Sequence, residues 1–364
     1  MQRSNSSRRE FLSVAASSAS GLLIAPLRAA EPDSRLAGVL ARTISVDLHS
    51  HVGIPFGKPN AALPQFDLPG EMKRTGFSAV VQTWEVDSVP PSATGQEYIH
   101  FHEALDFEDR LLAATKVKRA LTLRDLEAAH ARRQPVIIQA AEGAQFLEGH
   151  IERVDEAHKR GLRVLQPVHE RDDRVKPMAD IYTRAAHLGG LTEFGAEVVK
   201  ASNRLGVVVD LTHMSYDAVK SALKISAHPM IFSHTSLVPG PGDKPGDPRM
   251  APRLLSKEEV RDITAPGGVI GVWWHGTNTV KEYVEQIKRV ADAAGVENVG
   301  IGTDTDLEPD VRRLYTNAIW KGETRGMFPA VAEEMLASGF TPDEVTKVGG
   351  GNFCRLFGKV AGAR

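Results

Sequence analysis

Val207-Val-Val-Asp-Leu-Thr-His213, followed by Pro229-Met-Ile-Phe-Ser-His234, carries the pattern that decides the fold: a short, near-continuous apolar run that closes on a histidine. The same text recurs along the chain. Val46-Asp-Leu-His-Ser-His51, Pro135-Val-Ile-Ile-Gln-Ala-Ala-Glu142, Val164-Leu-Gln-Pro-Val-His169 and Val299-Gly-Ile-Gly-Thr-Asp304 all end in a residue able to ligate metal. Runs this rich in Val and Ile suit parallel strands buried on both faces. A ligand-type residue at the carboxyl end of each of them describes a barrel whose rim binds metal.

Working outward, eight strand-like runs are expected: Ile44–Leu48, Ala79–Val86, Val136–Ala141, Arg163–Val168, Val207–Leu211, Met230–Phe232, Val269–Trp273 and Val299–Gly302. Helical spacing of apolar residues lies between them, as in Leu191–Leu205 and Val280–Ala294. Alternating strands and helices imply βα units around a parallel sheet. A doubly wound sheet is the rival, but it gathers its ligands at one switch point, whereas here six runs contribute. The expected fold is therefore a single-domain (β/α)8 TIM barrel with long βα loops, the longest at Asp87–Phe107 and Pro239–Pro252.

The chain has 364 residues and 42% hydrophobic content, enough to bury one large core. A net charge of −2 implies no basic face for nucleic acid. With Cys354 the lone cysteine, neither an intrachain disulfide nor a cysteine zinc site can form, so any metal must be held by His and carboxylates. The first 30 residues are different in kind. Ser7-Arg8-Arg9-Glu10-Phe11-Leu12 is a twin-arginine signature, a mildly apolar stretch runs to Ala25, and Arg28-Ala29-Ala30 offers small residues for cleavage. Residues 1–30 are expected to be a Tat signal peptide and 31–364 the barrel, which implies export by the Tat machinery to the periplasm or beyond.

His49 and His51 are two apart, so on an extended strand both point to one face and can reach one cation. Glu142 has two oxygens and can bridge two cations about 3.5–4 Å apart, although a glutamate starting a helix reads the same way. His213 and His234 end consecutive runs, so neighbouring strands would set them side by side to hold a second metal. His169 is either a ligand or a donor to an oxyanion, and Asp304 either a ligand or a general base. Asp306 is expected to serve loop hydrogen bonds. Trp273 is expected in the core, with Trp274 or His275 facing a pocket; His100, His102 and the remaining histidines are expected to be solvated or capping.

With these residues in place, the chain resembles the membrane (renal-type) dipeptidase family of zinc hydrolases, from about Val46 to Phe357. The most specific text is Gly190-Leu-Thr-Glu-Phe-Gly195, Asn203-Arg-Leu-Gly206, Asp210-Leu-Thr-His213 and Phe232-Ser-His-Thr-Ser236, with closing motifs at Val299–Asp304 and Gly350–Phe357. The resemblance implies a dipeptidase with two zinc ions per chain, His49 and Glu142 on the first, and Glu142, His213 and His234 on the second. It further implies a hydroxide between the metals as nucleophile, His169 polarising the scissile carbonyl, Arg249 gripping the substrate carboxylate, and Asp304 passing a proton to the leaving amine. A small dipeptide is the implied partner, and a homodimer is compatible with the family habit.

Three departures stand out. The family's His-x-Asp is His49-Ser-His51 here, Asp306 is followed by Leu307 rather than Gly, and the usual Arg-Asn is Arg249-Met250 after a longer Pro/Gly loop. They keep two other readings open: a lactonase or N-acyl amino acid deacylase on the same barrel, or a binder of metal or peptide with decayed catalysis.

Overall fold

The computed structural model describes residues 34–53, 58, 60–87, 93–172, 175–240, 248–309 and 315–362. The expected signal peptide lies outside the described residues, as does half of the Pro239–Pro252 stretch, residues 241–247. Among the described residues there are ten strands: β1 (Val46–His51), β2 (Ala79–Glu85), β3 (Lys118–Arg119), β4 (Val136–Glu142), β5 (Leu162–Gln166), β6 (Val208–Val209), β7 (Ile231–Thr235), β8 (Val269–Val272), β9 (Val299–Ile301) and β10 (Thr305–Asp306). The helices are α1 (Ser34–Arg42), α2 (Leu68–Thr75), α3 (Gln96–Thr115), α4 (Leu123–Arg132), α5 (Arg153–Lys159), α6 (Glu193–Leu205), α7 (Tyr216–Ile225), α8 (Lys257–Thr264), α9 (Val280–Ala294), α10 (Met327–Ala337), α11 (Pro342–Thr346) and α12 (Asn352–Ala361).

All paired strands are parallel, in the order β6-β5-β4-β2-β1-β9-β8-β7. The two ends of that order meet through a parallel bridge between Asp210 and Ile231, where the Leu211 amide donates to the Ile231 carbonyl at 2.8 Å. Eight strands thus form a nearly closed (β/α)8 barrel, with β3 and β10 as short additions against β4 and β1. Helix starts follow local chemistry. Thr122 and Ser256 close capping boxes with Asp125 and Glu259, and Thr279 caps α9. Gly206 ends α6 in the left-handed region that glycine adopts without steric cost.

Inside the barrel, Val46, Leu48, Val81, Ile138, Val164, Val208, Ile231 and Val269 form one buried cluster. Phe353, Leu356, Phe357 and Val360 of α12 belong to the same cluster, so the last helix seals the amino-terminal mouth. A second, larger core lies between the strands and the helical ring, including Trp84, Phe101, Phe146, Val198 and Tyr283.

All eight expected strands are present, shifted by up to a few residues. The first begins at Val46 and runs on through His51, so both histidines sit on the strand itself. The expected loop over Asp87–Phe107 is wrong beyond Gln96, where α3 starts. Phe101, Ala104, Leu105, Leu111 and Leu112 bury one helical face, but the first turns also bury Glu97 and His100, which disguised the periodicity. His100 is accordingly buried rather than solvated.

Candidate metal centre

The carboxyl ends of β2, β4 and β7 and the turns after β5, β6, β8 and β9 converge on one cavity of about 310 Å³, lined by Glu85, Glu142, His169, His213, His234, Arg253, His275 and Asp304 among others. Backbone irregularities aim these side chains. The β1–β2 register shifts between Asp47 and Ser50, spanning His49, and the β7–β8 register shifts between Phe232 and Thr235, spanning His234. Such bulges re-aim side chains and cluster beside active sites. His213 (φ 71°) and Asp304 (φ 53°) occupy the left-handed region that side chains rarely adopt. Strain of this kind persists where surrounding structure enforces it, most often at functional sites.

Glu142 is the hub. Its Oε2 lies 3.5 Å from His49 Nε2, and its Oε1 lies 3.2 Å from His213 Nε2, 3.8 Å from His169 Nε2 and 3.9 Å from His234 Nε2. His51 Nε2 is 3.2 Å from Asp304 Oδ1, and His275 Nε2 is 3.4 Å from the other Asp304 oxygen. His49, Glu142 and His234 are buried, as are His51 and His213.

Four imidazoles, His49, His51, His169 and His234, present Nε2 to this centre and spend Nδ1 on the scaffold. His51 Nδ1 meets the Thr83 carbonyl at 3.1 Å, and His169 Nδ1 meets Asp87 Oδ1 at 2.6 Å. Ser233 Oγ serves two rings at once, His49 Nδ1 at 3.2 Å and His234 Nδ1 at 2.9 Å. A hydroxyl has two lone pairs, so it can accept from both rings and leave both Nε2 lone pairs facing inward. Ser233 is itself pinned by tight packing: a Cβ on Gly271 or Gly302 would come within 1.8 Å of the Ser233 carbonyl oxygen.

These donors fit divalent cations. His49 Nε2 is buried with no hydrogen-bond partner. His213 and His234 point Nε2 atoms at each other across 3.3 Å, an arrangement that one shared proton or one cation satisfies. Sets of ligand atoms within 4.8 Å of one another include His49–Glu142–His234, Glu142–His169–His213 and His49–His51–Asp304. Burial opposes charge on Glu142, but His169 and His49 outweigh it and hold the carboxyl well below the usual range. Asp304 is only partly buried; desolvation opposes its charge, but the imidazoles around it hold its carboxyl well below the usual range. Burial drives His213 down, and burial with His49 drives His234 further down, leaving both rings in the neutral form that ligates metal. His169 behaves oppositely: burial opposes its charge, but Glu142 and Asp87 raise it to about 9. It is therefore a cationic donor at neutral pH. His51, also opposed by burial, is raised to about 10 by Asp304 and Glu142; the same carboxylates that hold that proton attract a metal cation.

The structure thus brings His49, His51, Glu142, His169, His213, His234 and Asp304 together. Arg249 stands apart: it is exposed in the turn before a 3₁₀ segment, outside the cavity lining, whereas Arg253 lies on the wall. Arg253 pairs with Glu170 and lies over the Tyr182 ring, 5.8 Å from its centroid. Of the tryptophans and His275, Trp273 and His275 reach the cavity and Trp274 does not. Four contributors escaped sequence reading. Glu85 had the available signal, a carboxylate ending an apolar run. Asp87, Glu170 and Arg253 had none, because only the folded loops bring them to the rim.

A family model described as membrane dipeptidase, peptidase family M19, matches residues 34–364. Dipeptidase 3 of Mus musculus is 31% identical over 195 residues, 52% of this chain and 38% of that one. The chain's matches span less than half the length of the curated relatives. Among solved structures, the probable dipeptidase PvdM from Pseudomonas aeruginosa superposes with a TM-score of 0.72 at 19% identity, over 90% of this chain and 97% of that one. A metallo peptidase from Rhodobacter sphaeroides, liganded with a phosphinate mimic of the dipeptide L-Ala-D-Ala, gives 0.64 at 20% identity, over 87% and 99%. These two share the barrel fold, and the family match runs through every strand of it: the chain belongs to the membrane dipeptidase family, peptidase family M19.

Proposed function

We propose that this chain is a metallodipeptidase that hydrolyses the peptide bond of dipeptides with two zinc ions at the barrel rim. One observation carries the reading: Glu142 turns one oxygen to His49 and the other to His213 and His234. A carboxylate shared between two imidazole groups is the donor pattern of a two-ion site. His49 and His51 with Glu142 would hold one ion, and Glu142, His213 and His234 the other. A histidine-rich donor set favours zinc over magnesium or calcium. Bound there, the ions would supply Lewis acidity and acidify water.

The chain's own groups do the rest. Asp304, held ionised, accepts a proton from the attacking water and delivers it to the leaving amine. His169, oriented by its 2.6 Å contact with Asp87, donates to the oxygen on which negative charge develops. Arg253 takes the substrate's carboxylate in place of Glu170, a bidentate grip suited to guanidinium; it is preferred to Arg249 for this role because it lines the cavity. The phosphinate dipeptide mimic bound by the Rhodobacter relative supports a small dipeptide in a cavity of this size. The twin-arginine text supports export by the Tat machinery to the periplasm, checked by recovery of cleaved protein in wild-type cells and its loss in a Tat-deficient strain.

His51 favours a second reading. With His49 and Asp304 it forms a three-ligand set of its own, a set equally suited to lactone or N-acyl amino acid hydrolysis. The deciding experiment assays zinc-loaded protein on dipeptides, N-acyl amino acids and lactones, with metal stoichiometry measured on the same sample. Two zinc ions per chain and preferential dipeptide turnover are expected. His213→Ala should lose metal and activity while keeping its circular dichroism spectrum. Turnover that survives in metal-free protein would sink the proposal, and a preference for lactones would transfer it to the second reading.

A further inference from the structure

We infer that the floor of the barrel carries a second binding site, separate from the catalytic rim, for a phosphate-bearing anion. A cavity of about 300 Å³ opens between the end of α2, the end of α3 with β3, and α4. Lys73, Lys116, Lys118, Arg119 and Arg132 line it, against a single lining carboxylate, Asp125. A neighbouring cavity of about 530 Å³ shares Lys73, Ala129, Gln134 and Pro135 and adds Arg133 and His130.

The charges here are not cancelled locally. Asp125 Oδ2 is already engaged by the Leu121 and Thr122 amides and the Thr122 hydroxyl, all at 2.9 Å, as part of the α4 capping box. Arg119 is held by Asp109 at 2.7 Å. Lys73, Lys116, Lys118, Arg132 and Arg133 form no ion pair among the described residues, and all five are exposed. Cations are favoured at helix carboxyl ends, which accounts for Lys73, Lys116, Arg132 and Arg133 individually. Three such ends contribute only about half a negative charge each, so a surplus of positive charge remains over a concave wall. Lys118, on a strand, owes nothing to a helix end. A concave surface of one sign concentrates counter-ions, and this local surplus of cations sits on a chain whose total charge is −2.

The ligand follows from the chemistry. A monoanionic carboxylate leaves most of this charge unmet, whereas a phosphate group offers two negative charges and several acceptors to Lys and Arg together. A soluble phosphate and the headgroup of an anionic lipid share that chemistry. The test uses the full zinc-loaded chain in two arms: titration with inorganic phosphate, and co-sedimentation with vesicles of phosphatidylglycerol against phosphatidylcholine. Each is repeated on Lys73→Ala/Lys118→Ala/Arg132→Ala, with Lys118→Glu alone as a second variant and thermal melting as the check on fold. Binding in either arm that weakens roughly tenfold or more in the triple variant, and falls as salt rises, supports the site and names its source. No binding in both arms, or phosphate binding of equal strength in wild type and variants, overturns it; the latter would place the anion at the metal rim.

Discussion

Ser233 shows how one side chain sets the geometry of others. Its hydroxyl lies within hydrogen-bond reach of Nδ1 on both His49 and His234, rings that come from opposite sides of the barrel sequence. Partners of this kind fix tautomer and ring orientation, and losing one typically lowers metal affinity 10–100-fold. Ser233→Ala should therefore fold normally yet bind zinc roughly 10–100-fold more weakly, measured by competition with a chromophoric chelator; unchanged affinity would remove Ser233 from this role. Asp47 and Asp210 act similarly on the backbone. Asp47 accepts from the Thr303 amide at 2.9 Å and its hydroxyl at 2.7 Å, tying β1 to the turn that carries Asp304. Asp210 accepts from the Ser233 amide at 3.0 Å, tying β6 to β7.

At the scale of elements, α3 carries an unusual load. Glu108 is fully buried on it, with Arg119 4.0 Å away. Burial pushes its carboxyl up to about 8, with Arg119 pulling the other way. A carboxyl raised in the folded state favours folding while protonated. Its contribution is complete below the ordinary value of 4.5 and is lost as pH rises through about 8. Glu108→Gln, which keeps the shape and removes the proton's role, should flatten the fall in stability between pH 5 and 8. Denaturant midpoints of both proteins at the two pH values check this; parallel falls would mean that Glu108 stays ionised. The same helix explains the misplaced loop boundary. Buried Glu97, His100 and Glu108 interrupt the apolar periodicity, and their burial follows from tertiary cover rather than from any local preference. Helices with clean caps, such as α9 under Thr279, were legible to the residue.

For the whole molecule, closure at both ends matters. The rim is shaped by turns, and the floor is sealed by α12, whose Phe353 and Phe357 stack at 5.5 Å and are fully buried in the barrel-interior cluster. Removing a buried phenyl group costs about 3–5 kcal/mol through lost burial and the cavity left behind. Phe357→Ala should lower the unfolding free energy by about that amount without changing metal stoichiometry, because the candidate ligands lie at the other end of the strands. Loss of metal along with stability would show the two ends to be coupled.

The chain by itself determined the barrel and its candidate ligands: strand text buried on both faces has to be Val- and Ile-rich, and a parallel barrel puts the residue closing each run at one rim, so His49, His51, Glu142, His213, His234 and Asp304 were visible as a set. Tertiary structure alone decided how that set is finished. Asp87 reaches His169, Arg253 rather than Arg249 lines the cavity, and Lys73, Lys118 and Arg132 gather on one floor. The reason is physical. Periodicity records which face of an element is buried, a local property, whereas the meeting of loops far apart in sequence depends on where closure of the barrel delivers them.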